Sequence, residues 1–168
     1  MIELFLITGP AGVGKSTISL KIAESMDKSC LIEGDEVYHL VKGGYVSPWK
    51  KGNHLDLFWE NSLSLISNCL KKGFNVIFNY ILNKEDIKKI KKIFPNIQIK
   101  FIVLMVDEKM IIERDKLRPQ DCQMGERSLK LLRNMQKENF NKNNILDSSN
   151  LSIEETFKEI INNNRFII

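Results

Sequence analysis

Cysteine is scarce in this sequence and follows no metal-binding or disulfide pattern. Cys30, Cys69 and Cys122 are far apart and form no CxxC pair, which is typical of reduced thiols. No apolar run approaches the roughly 20 residues that cross a membrane as a helix. The first residues carry no basic region and no small-residue cleavage site, so we expect no signal peptide. These absences together predict a cytoplasmic protein without membrane contact.

The composition is that of a well-packed globular protein. The chain has 168 residues, of which 43% are hydrophobic and 27% charged, and this length suits a single domain over residues 1–168. The formal net charge is +4. Lys88, Lys89, Lys91 and Lys92 lie on the outer face of one expected helix and are enough to explain this excess. We therefore expect no nucleic-acid partner.

Five short apolar runs alternate with helical patterns along the chain. The runs cover 2–8, 30–32, 75–78, 97–105 and 145–146. Apolar residues at helical spacing follow the first run and also fill 55–70, about 108–117 and 153–161. Strands that alternate with helices predict parallel βαβ units, and therefore an α/β fold with helices on both faces of one sheet.

A glycine-rich turn follows the first run. It consists of Gly9, Pro10, Ala11, Gly12, Val13, Gly14, Lys15, Ser16 and Thr17. This segment matches G-x-x-x-x-G-K-[ST], a phosphate loop that must follow a buried strand and open a helix. We expect Lys15 to reach the β and γ phosphates, Ser16 to ligate Mg²⁺ and Thr17 to contact the α phosphate. The motif predicts nucleoside triphosphate binding but does not decide the fate of the γ phosphate.

A second nucleotide-type motif has a simpler structural explanation. Asn83-Lys84-Glu85-Asp86 fits the guanine-binding N-K-x-D pattern of GTPases. Asn83 is also a good N-cap, and Asp86 completes a capping box in front of a helix. No DxxG lies between the phosphate loop and this point. We interpret the segment as the start of a helix.

The sequence resembles the small P-loop kinases of the nucleoside monophosphate kinase-like fold, which include gluconate kinase, shikimate kinase and chloramphenicol phosphotransferase. Proteins described as gluconate kinase-like or AAA-type ATPases are the most similar of these. The resemblance is carried by the phosphate loop, Glu33-Gly34-Asp35, residues 113–119 and residues 147–150. It implies a three-layer fold with a five-stranded parallel sheet in the order 2-3-1-4-5 and an arginine-bearing lid. It also implies transfer of a phosphoryl group from ATP, with Mg²⁺, to a hydroxyl of a small molecule.

Glu33 and Asp35 flank one glycine at the end of the second run. The resemblance implies that Asp35 is the base or orienting group for the acceptor and that Glu33 holds a metal-bound water. Asp35 could instead be a plain N-cap of a helix over 36–41. Asn79 ends the third run, where related kinases can carry an acid. We interpret Asp107 as a helix cap rather than a Walker B acid.

Arginine is absent between Met1 and Arg114. Arg114 and Arg118 form an i,i+4 pair on an expected helix, and Arg127 follows a polar segment. The resemblance implies a lid over about 114–127, whose arginines stack on adenine and bind the transferring phosphoryl group. We rank Arg118 first, then Arg127, then Arg114. The alternative is a solvated helix in which Arg114 pairs with its acidic neighbours.

Aromatic residues cluster in the segment over about 36–60, where this fold places its acceptor. They are Tyr45, Trp49, His54 and Trp59. Such a set could bind a sugar ring, a nucleoside or an aromatic drug, although Trp59 also fits the apolar face of its helix and His54 fits a surface or capping position. The lack of arginine here disfavours a nucleoside monophosphate. A carboxylated acceptor would need a cation from the lid or from Lys50 or Lys51.

The leading hypothesis is an ATP- and Mg²⁺-dependent kinase of a small hydroxylated molecule, with a gluconate-like acid first and an antibiotic or nucleoside second. Two other functions stay open. A regulatory ATPase would use the same loop for slow hydrolysis, and a polynucleotide end kinase would explain the basic charge. The sequence does not distinguish a monomer from a homodimer.

Overall fold

The computed structural model describes residues 2–117, 119–120 and 123–168. Five strands form one parallel sheet in the order β2-β3-β1-β4-β5, which confirms the implied order. They are β1 (Glu3–Thr8), β2 (Ser29–Glu33), β3 (Asn75–Asn79), β4 (Gln98–Met105) and β5 (Ile145–Asp147). Arg118 and Cys122 lie outside the described residues, so the predictions for them are not addressed by the structure.

Seven α-helices lie within the described part of the chain. They are α1 (Lys15–Glu24), α2 (Gly34–Tyr38), α3 (Leu55–Lys71), α4 (Lys84–Ile93), α5 (Glu108–Lys116), α6 (Glu126–Lys137) and α7 (Ile153–Asn162). Short 3-10 turns follow at Lys142–Asn144 and Asn164–Phe166. The helices expected from apolar spacing are all present, and α6 is an additional helix that the sequence did not predict.

The sheet separates two apolar layers, and β1 contributes to both of them. Leu4 and Leu6 point to the face covered by α3 and α4, where Ile66 and Ile90 pack against them. The residues that alternate with them, such as Phe5, point to the face covered by α1, α5 and α7. Every residue of β1 from Leu4 to Thr8 is buried, so burial along the strand is continuous and does not alternate between a buried and an exposed face. The three-layer architecture is therefore confirmed.

Lys100 is a charged residue inside the apolar run of β4. Its side chain is only 4% exposed. The Nζ atom donates hydrogen bonds to the carbonyl oxygens of Ile160 (3.4 Å) and Ile161 (2.9 Å) in the last turn of α7. A cation at a helix C-terminus is stabilised by the unpaired carbonyls and the helix dipole. Lys100 therefore links the C-terminal turn of α7 to β4 through these hydrogen bonds.

Two further expectations from the sequence concern the cysteines and membrane-spanning helices. Cys30 and Cys69 are free thiols, each partly exposed. None of the helices in the described ranges combines the length and apolar character needed to cross a membrane.

Candidate active site

The phosphate loop joins β1 to α1 at the carboxyl edge of the sheet. Gly9 passes so close to β4 that a Cβ atom there would lie 2.5 Å from the Leu104 carbonyl oxygen. The loop turns through a hydrogen bond of 3.4 Å from Val13 N to Pro10 O. Gly14 then precedes α1 as its N-cap. The motif thus has the strand–loop–helix context that phosphate binding at a helix N-terminus requires.

Lys15 and Ser16 have protein partners at the start of α1. Lys15 Nζ donates to the carbonyl oxygens of Gly9 (2.9 Å) and Pro10 (3.0 Å). Ser16 Oγ donates to Glu33 Oε2 at 2.9 Å. Within the described ranges, no cluster of three or more His, Cys, Asp or Glu side chains could hold a metal ion. The hydroxyl and the carboxylate are nevertheless the oxygen donors that suit Mg²⁺ when phosphate oxygens complete its ligands.

Asp35 lies in the first turn of α2, and its side chain lines the cleft beside the phosphate loop. The alternative that Asp35 caps a helix over 36–41 is wrong. The helix begins at Gly34, directly after β2, and Glu33 occupies the capping position without a side-chain capping bond. Since Asp35 makes no N-cap, its carboxylate is available to the cleft.

Gly34 separates the two acids because Tyr80 occupies the space beside it. A Cβ atom on Gly34 would lie 2.6 Å from Cδ2 of the Tyr80 ring. That ring also packs on Phe58, with 4.4 Å between the centroids. Burial first, and then the negative charge of Asp35, raises the pKa of the Tyr80 hydroxyl well above its usual value. Tyr80 was not identified from the sequence as a protonated neighbour of Asp35. The glycine between Glu33 and Asp35, which leaves room for the ring, was the sequence feature that could have indicated it.

A cleft of about 720 Å³ runs along the phosphate loop. On one side it is lined by Asp35 and His39, which follow β2, and by Asn79 and Ile81, which end and follow β3. On the other side it is lined by Ser148, Leu151, Ile153 and Thr156, which follow β5. Because β1 lies between β3 and β4 in the sheet, these two groups are on opposite sides of the phosphate loop. The volume is in the range of ligand-binding clefts.

Asn79 ends β3 with a buried amide. It is 4% exposed and lines the cleft, and no partner for its Nδ2 atom occurs among the residues that the structure describes. In the adjacent strand, Thr8 Oγ1 accepts a hydrogen bond of 2.8 Å from Leu82 N, which ties β1 to the segment after β3. The position where related kinases can carry an acid therefore holds a group that can donate to a ligand oxygen.

Two consecutive residues of α5 make different contacts. Arg114 Nη1 donates to the Val13 carbonyl oxygen at 2.7 Å, so its side chain reaches the phosphate loop instead of its acidic neighbours. Asp115 is 5% exposed, and its carboxylate accepts hydrogen bonds from the backbone N–H groups of residues 124 and 125. The first contact places Arg114 in the site, and the second holds the start of α6.

Arg127 lies in the first turn of α6. Its guanidinium carbon is 3.4 Å from the centroid of the Trp49 ring, so the expected lid and the expected acceptor segment are in direct contact. Only Leu132 and Met135 are buried apolar residues of α6. This narrow stripe after a polar stretch explains why the helix was not predicted.

The expected acceptor segment is held together by a tyrosine that the sequence analysis did not identify. The Tyr38 hydroxyl donates to the Val46 carbonyl oxygen (2.6 Å) and accepts from His54 N (3.2 Å). His54 occupies the N-cap position of α3, which is the structural role expected for it. Trp59 packs against the core, whereas Trp49 is 61% exposed. Of the expected aromatic cluster, Trp49 is therefore the ring most open to a ligand.

Two acidic motifs are helix caps, as interpreted from the sequence. Asn83 Oδ1 accepts from the backbone N–H groups of Glu85 (2.8 Å) and Asp86 (3.0 Å), and Asp86 accepts from Asn83 N (2.9 Å). This capping box confirms the structural interpretation of residues 83–86. Asp107 Oδ1 accepts from Met110 N at 2.7 Å and caps α5.

A sequence-family model described as an AAA domain matches residues 6–141 of the chain. A search of curated protein sequences found no match.

Several solved structures share the fold at low sequence identity. A tunicamycin resistance protein from Deinococcus radiodurans superposes with a TM-score of 0.68 at 15% identity, covering 95% of this chain and 94% of the other. A sugar kinase from Janibacter sp. HTCC2649 gives 0.66 at 17% identity, covering 96% and 94%. A gluconokinase from Sinorhizobium meliloti 1021 gives 0.63 at 19% identity, covering 95% and 90%. These similarities establish a P-loop kinase-like fold.

Proposed function

Since the chain belongs to the AAA-domain family of P-loop proteins, we propose that it is a kinase that transfers the γ-phosphate of ATP to a hydroxyl group of a small molecule. One observation carries the proposal: the phosphate loop and Asp35 line the same cleft. Phosphoryl transfer depends mainly on positioning and charge neutralisation, with a carboxylate to accept or orient the hydroxyl proton. A phosphate site beside such a carboxylate suits transfer to an acceptor.

Residues 9–17 bind the triphosphate in this proposal. The backbone N–H groups of the loop and of the first turn of α1 face the phosphates. Lys15 exchanges its two carbonyl partners for β- and γ-phosphate oxygens, and Thr17 contacts the α phosphate. The apolar side chains after β5, Leu151 and Ile153, lie on the side of the cleft away from Asp35 and accommodate the base.

Ser16 and Glu33 are the residues that would hold Mg²⁺. Their hydrogen bond of 2.9 Å places a hydroxyl and a carboxylate side by side at the phosphate loop, which is a suitable donor pair for a hard cation. Ser16 would be a direct ligand of the ion, and Glu33 would orient a water molecule bound to it. When bound, Mg²⁺ neutralises charge on the β- and γ-phosphate oxygens.

Asp35 acts on the acceptor. Its carboxylate accepts the hydroxyl proton as the acceptor oxygen forms a bond to the γ phosphorus, and the bond from that phosphorus to the bridging oxygen of ADP breaks. The proton then passes to solvent. Arg114, which contacts the phosphate loop, and Arg127 neutralise the charge of the transferring group, together with Arg118.

A gluconate-like polyol acid is the first candidate acceptor. Similarity in structure to a gluconokinase and a sugar kinase supports it, and Arg127 beside the acceptor segment offers the cation that a carboxylate needs. An antibiotic or a nucleoside is the second candidate, supported by similarity to a tunicamycin resistance protein.

A regulatory ATPase is the rival function. It would need a carboxylate to activate water near the γ phosphate, and the residues at two candidate positions for that carboxylate do not serve this purpose. Asn79 ends β3, and Asp107 caps α5. A polynucleotide end kinase has in its favour the basic net charge and a similarity in structure, with a TM-score of 0.61 at 16% identity, to a chain of an RNA repair complex. Only 46% of that chain is covered, and the lysines that account for the charge are exposed on α4 and are not among the residues that line the cleft.

A panel of hydroxylated acceptors tests the proposal by ATP consumption above the rate without acceptor. It includes gluconate, neutral sugars, nucleosides and antibiotics. We expect at least one acceptor to stimulate consumption. Asp35→Asn should remove the stimulated part, and Lys15→Ala should abolish consumption altogether. Glu36→Gln is the matched control because Glu36 is the exposed neighbour of Asp35 in α2.

Two results would count against the kinase. The first is a panel in which no acceptor raises the rate. The second is stimulation that survives Asp35→Asn unchanged. If in addition basal hydrolysis persists in Asp35→Asn, the regulatory ATPase is the better description.

A further inference from the structure

We propose that Trp49 is a positioning residue for Arg127, and that the stacked pair binds an oxyanion of the substrates through the edge of the guanidinium group. The identity of that oxyanion rests on the proposed kinase function. The pairing itself does not, because it is a contact of this chain alone.

The distance across the contact indicates that the guanidinium group lies face-to-face with the ring. The distance of 3.4 Å from the guanidinium carbon to the ring centroid equals the separation of two planar groups in van der Waals contact. The five N–H donors of an arginine lie in the plane of the guanidinium, so stacking occupies its face and leaves its edge accessible. Arg127 is exposed, and the edge can bind two oxygens of a phosphate or a carboxylate.

Both partners of the stack are held in place by buried anchors. On the lid side, the Asp115 carboxylate accepts from Gly125 N at 2.7 Å, two residues before Arg127. On the acceptor side, Trp49 lies in a turn closed by a hydrogen bond of 2.9 Å from Lys50 N to Ser47 O. The Tyr38 hydroxyl holds the segment around this turn. The stack therefore joins two anchored segments.

Neither residue is favoured at its position by local structure. A cation in the first turn of a helix is opposed by the helix dipole, and Arg127 lies in the first turn of α6. A tryptophan with 61% of its surface exposed gains little from burial. Recognition of an anion gives both residues a function that the fold alone does not.

Each residue of the stack lies in a segment that contributes one residue to the lining of the cleft. Met124, three residues before Arg127, is part of the cleft lining, and so is His39, which begins the segment that carries Trp49. Two oxyanions enter such a cleft in the proposed reaction: the γ-phosphate of ATP and the carboxylate of a gluconate-like acceptor. They share the chemistry that the guanidinium edge recognises, and the experiment separates them.

A double-mutant cycle tests the positioning role. We expect Arg127→Ala to lower kcat/KM about 10- to 100-fold, as for a lost charged hydrogen bond. Trp49→Ala should lower it about 2- to 5-fold, as for a lost exposed cation–π contact. The double variant should match Arg127→Ala alone, and Trp49→Phe should restore most of the loss. Trp59→Phe is the matched control and should leave kcat/KM unchanged. Effects that multiply in the double variant would overturn the proposal.

A binding measurement identifies the oxyanion and needs no turnover. In a Trp59→Phe protein, Trp49 is the single tryptophan, and its emission is followed during separate titrations with Mg·ATP and with gluconate. A change with Mg·ATP that is lost in Arg127→Ala assigns the γ-phosphate, and the same result with gluconate assigns the acceptor carboxylate. No change with either, or changes that persist in Arg127→Ala, would overturn the pairing. If no acceptor stimulates ATP consumption, the kinase proposal fails while this measurement still decides the inference.

Discussion

Replacing Asp115 by alanine removes a carboxylate of α5 that accepts hydrogen bonds from the backbone at the start of α6. The side chain is 5% exposed and accepts from Met124 N at 3.1 and 3.0 Å, from Gly125 N at 2.7 Å and from Ser128 Oγ at 3.4 Å. Once the carboxylate is gone, the N–H groups and the hydroxyl lose a shared charged acceptor in a site that water reaches poorly. We expect the start of α6, and with it Arg127, to lose its fixed position.

The magnitude follows from the number and type of these bonds. A hydrogen bond to a charged group contributes about 1.5–3 kcal/mol, and bonds that share one carboxylate do not add fully. We expect Asp115→Ala to lower the free energy of unfolding by about 3 kcal/mol. For a chain of this length that corresponds to a decrease in Tm of about 6–12 °C. Asp115→Asn keeps the shape but loses the charge, and about half of the effect is expected.

Urea unfolding and thermal melts measure the change. Asp107→Ala is the matched control because Asp107 caps the other end of α5 through an exposed bond of 2.7 Å to Met110 N. An exposed cap contributes about 1 kcal/mol. A loss of stability in Asp115→Ala no larger than that in Asp107→Ala would contradict this expectation, since burial and charge would then add nothing.

Three further predictions concern single sites. Burial, together with the hydrogen bond and charge of Cys30, raises the pKa of the Cys69 thiol to about 11. Iodoacetamide should therefore alkylate Cys69 about 100-fold more slowly at pH 8 than it alkylates a free cysteine. Cys30→Ser should make the alkylation of Cys69 faster. A rate like that of free cysteine would contradict this. Gly34→Ala should displace the Tyr80 ring and lower the free energy of unfolding by about 1–3 kcal/mol in urea, and an unchanged midpoint would show that the ring moves freely. Lys100→Met should lower the free energy of unfolding by about 2 kcal/mol in the same assay because the carbonyls of α7 lose their donor, and a free energy equal to that of the unmutated protein would contradict this.

Most of the fold could be predicted because its signals are local. The phosphate loop, the five apolar runs and the capping box at Asn83 each lie within fewer than ten consecutive residues. The order of the strands came from a resemblance to known kinases rather than from the residues themselves. Asp35 shows the limit of local reasoning. An acid before a helical pattern normally indicates a cap, but here the glycine in front of it already begins the helix.

The contacts that could not be predicted join residues distant in the chain. Lys100 binds carbonyls 60 and 61 residues away, and Leu82 N binds the Thr8 hydroxyl across 74 residues. The stack of Trp49 on Arg127 is of the same kind. A sequence pattern reports the preference of each residue for its own neighbours, whereas these partners are chosen by the packing of whole elements.

The central position of β1 in the sheet makes this scaffold modular. Residues that follow β2 and β3 reach the cleft from one side of the phosphate loop, and residues that follow β5 reach it from the other. Residues 34–81 therefore carry one side of the cleft in a single continuous stretch of the chain, whereas the phosphate loop and the residues that follow β5 lie outside that stretch. If the proposed function is correct, we expect residues of this stretch to differ between proteins with different acceptors while the phosphate loop stays the same.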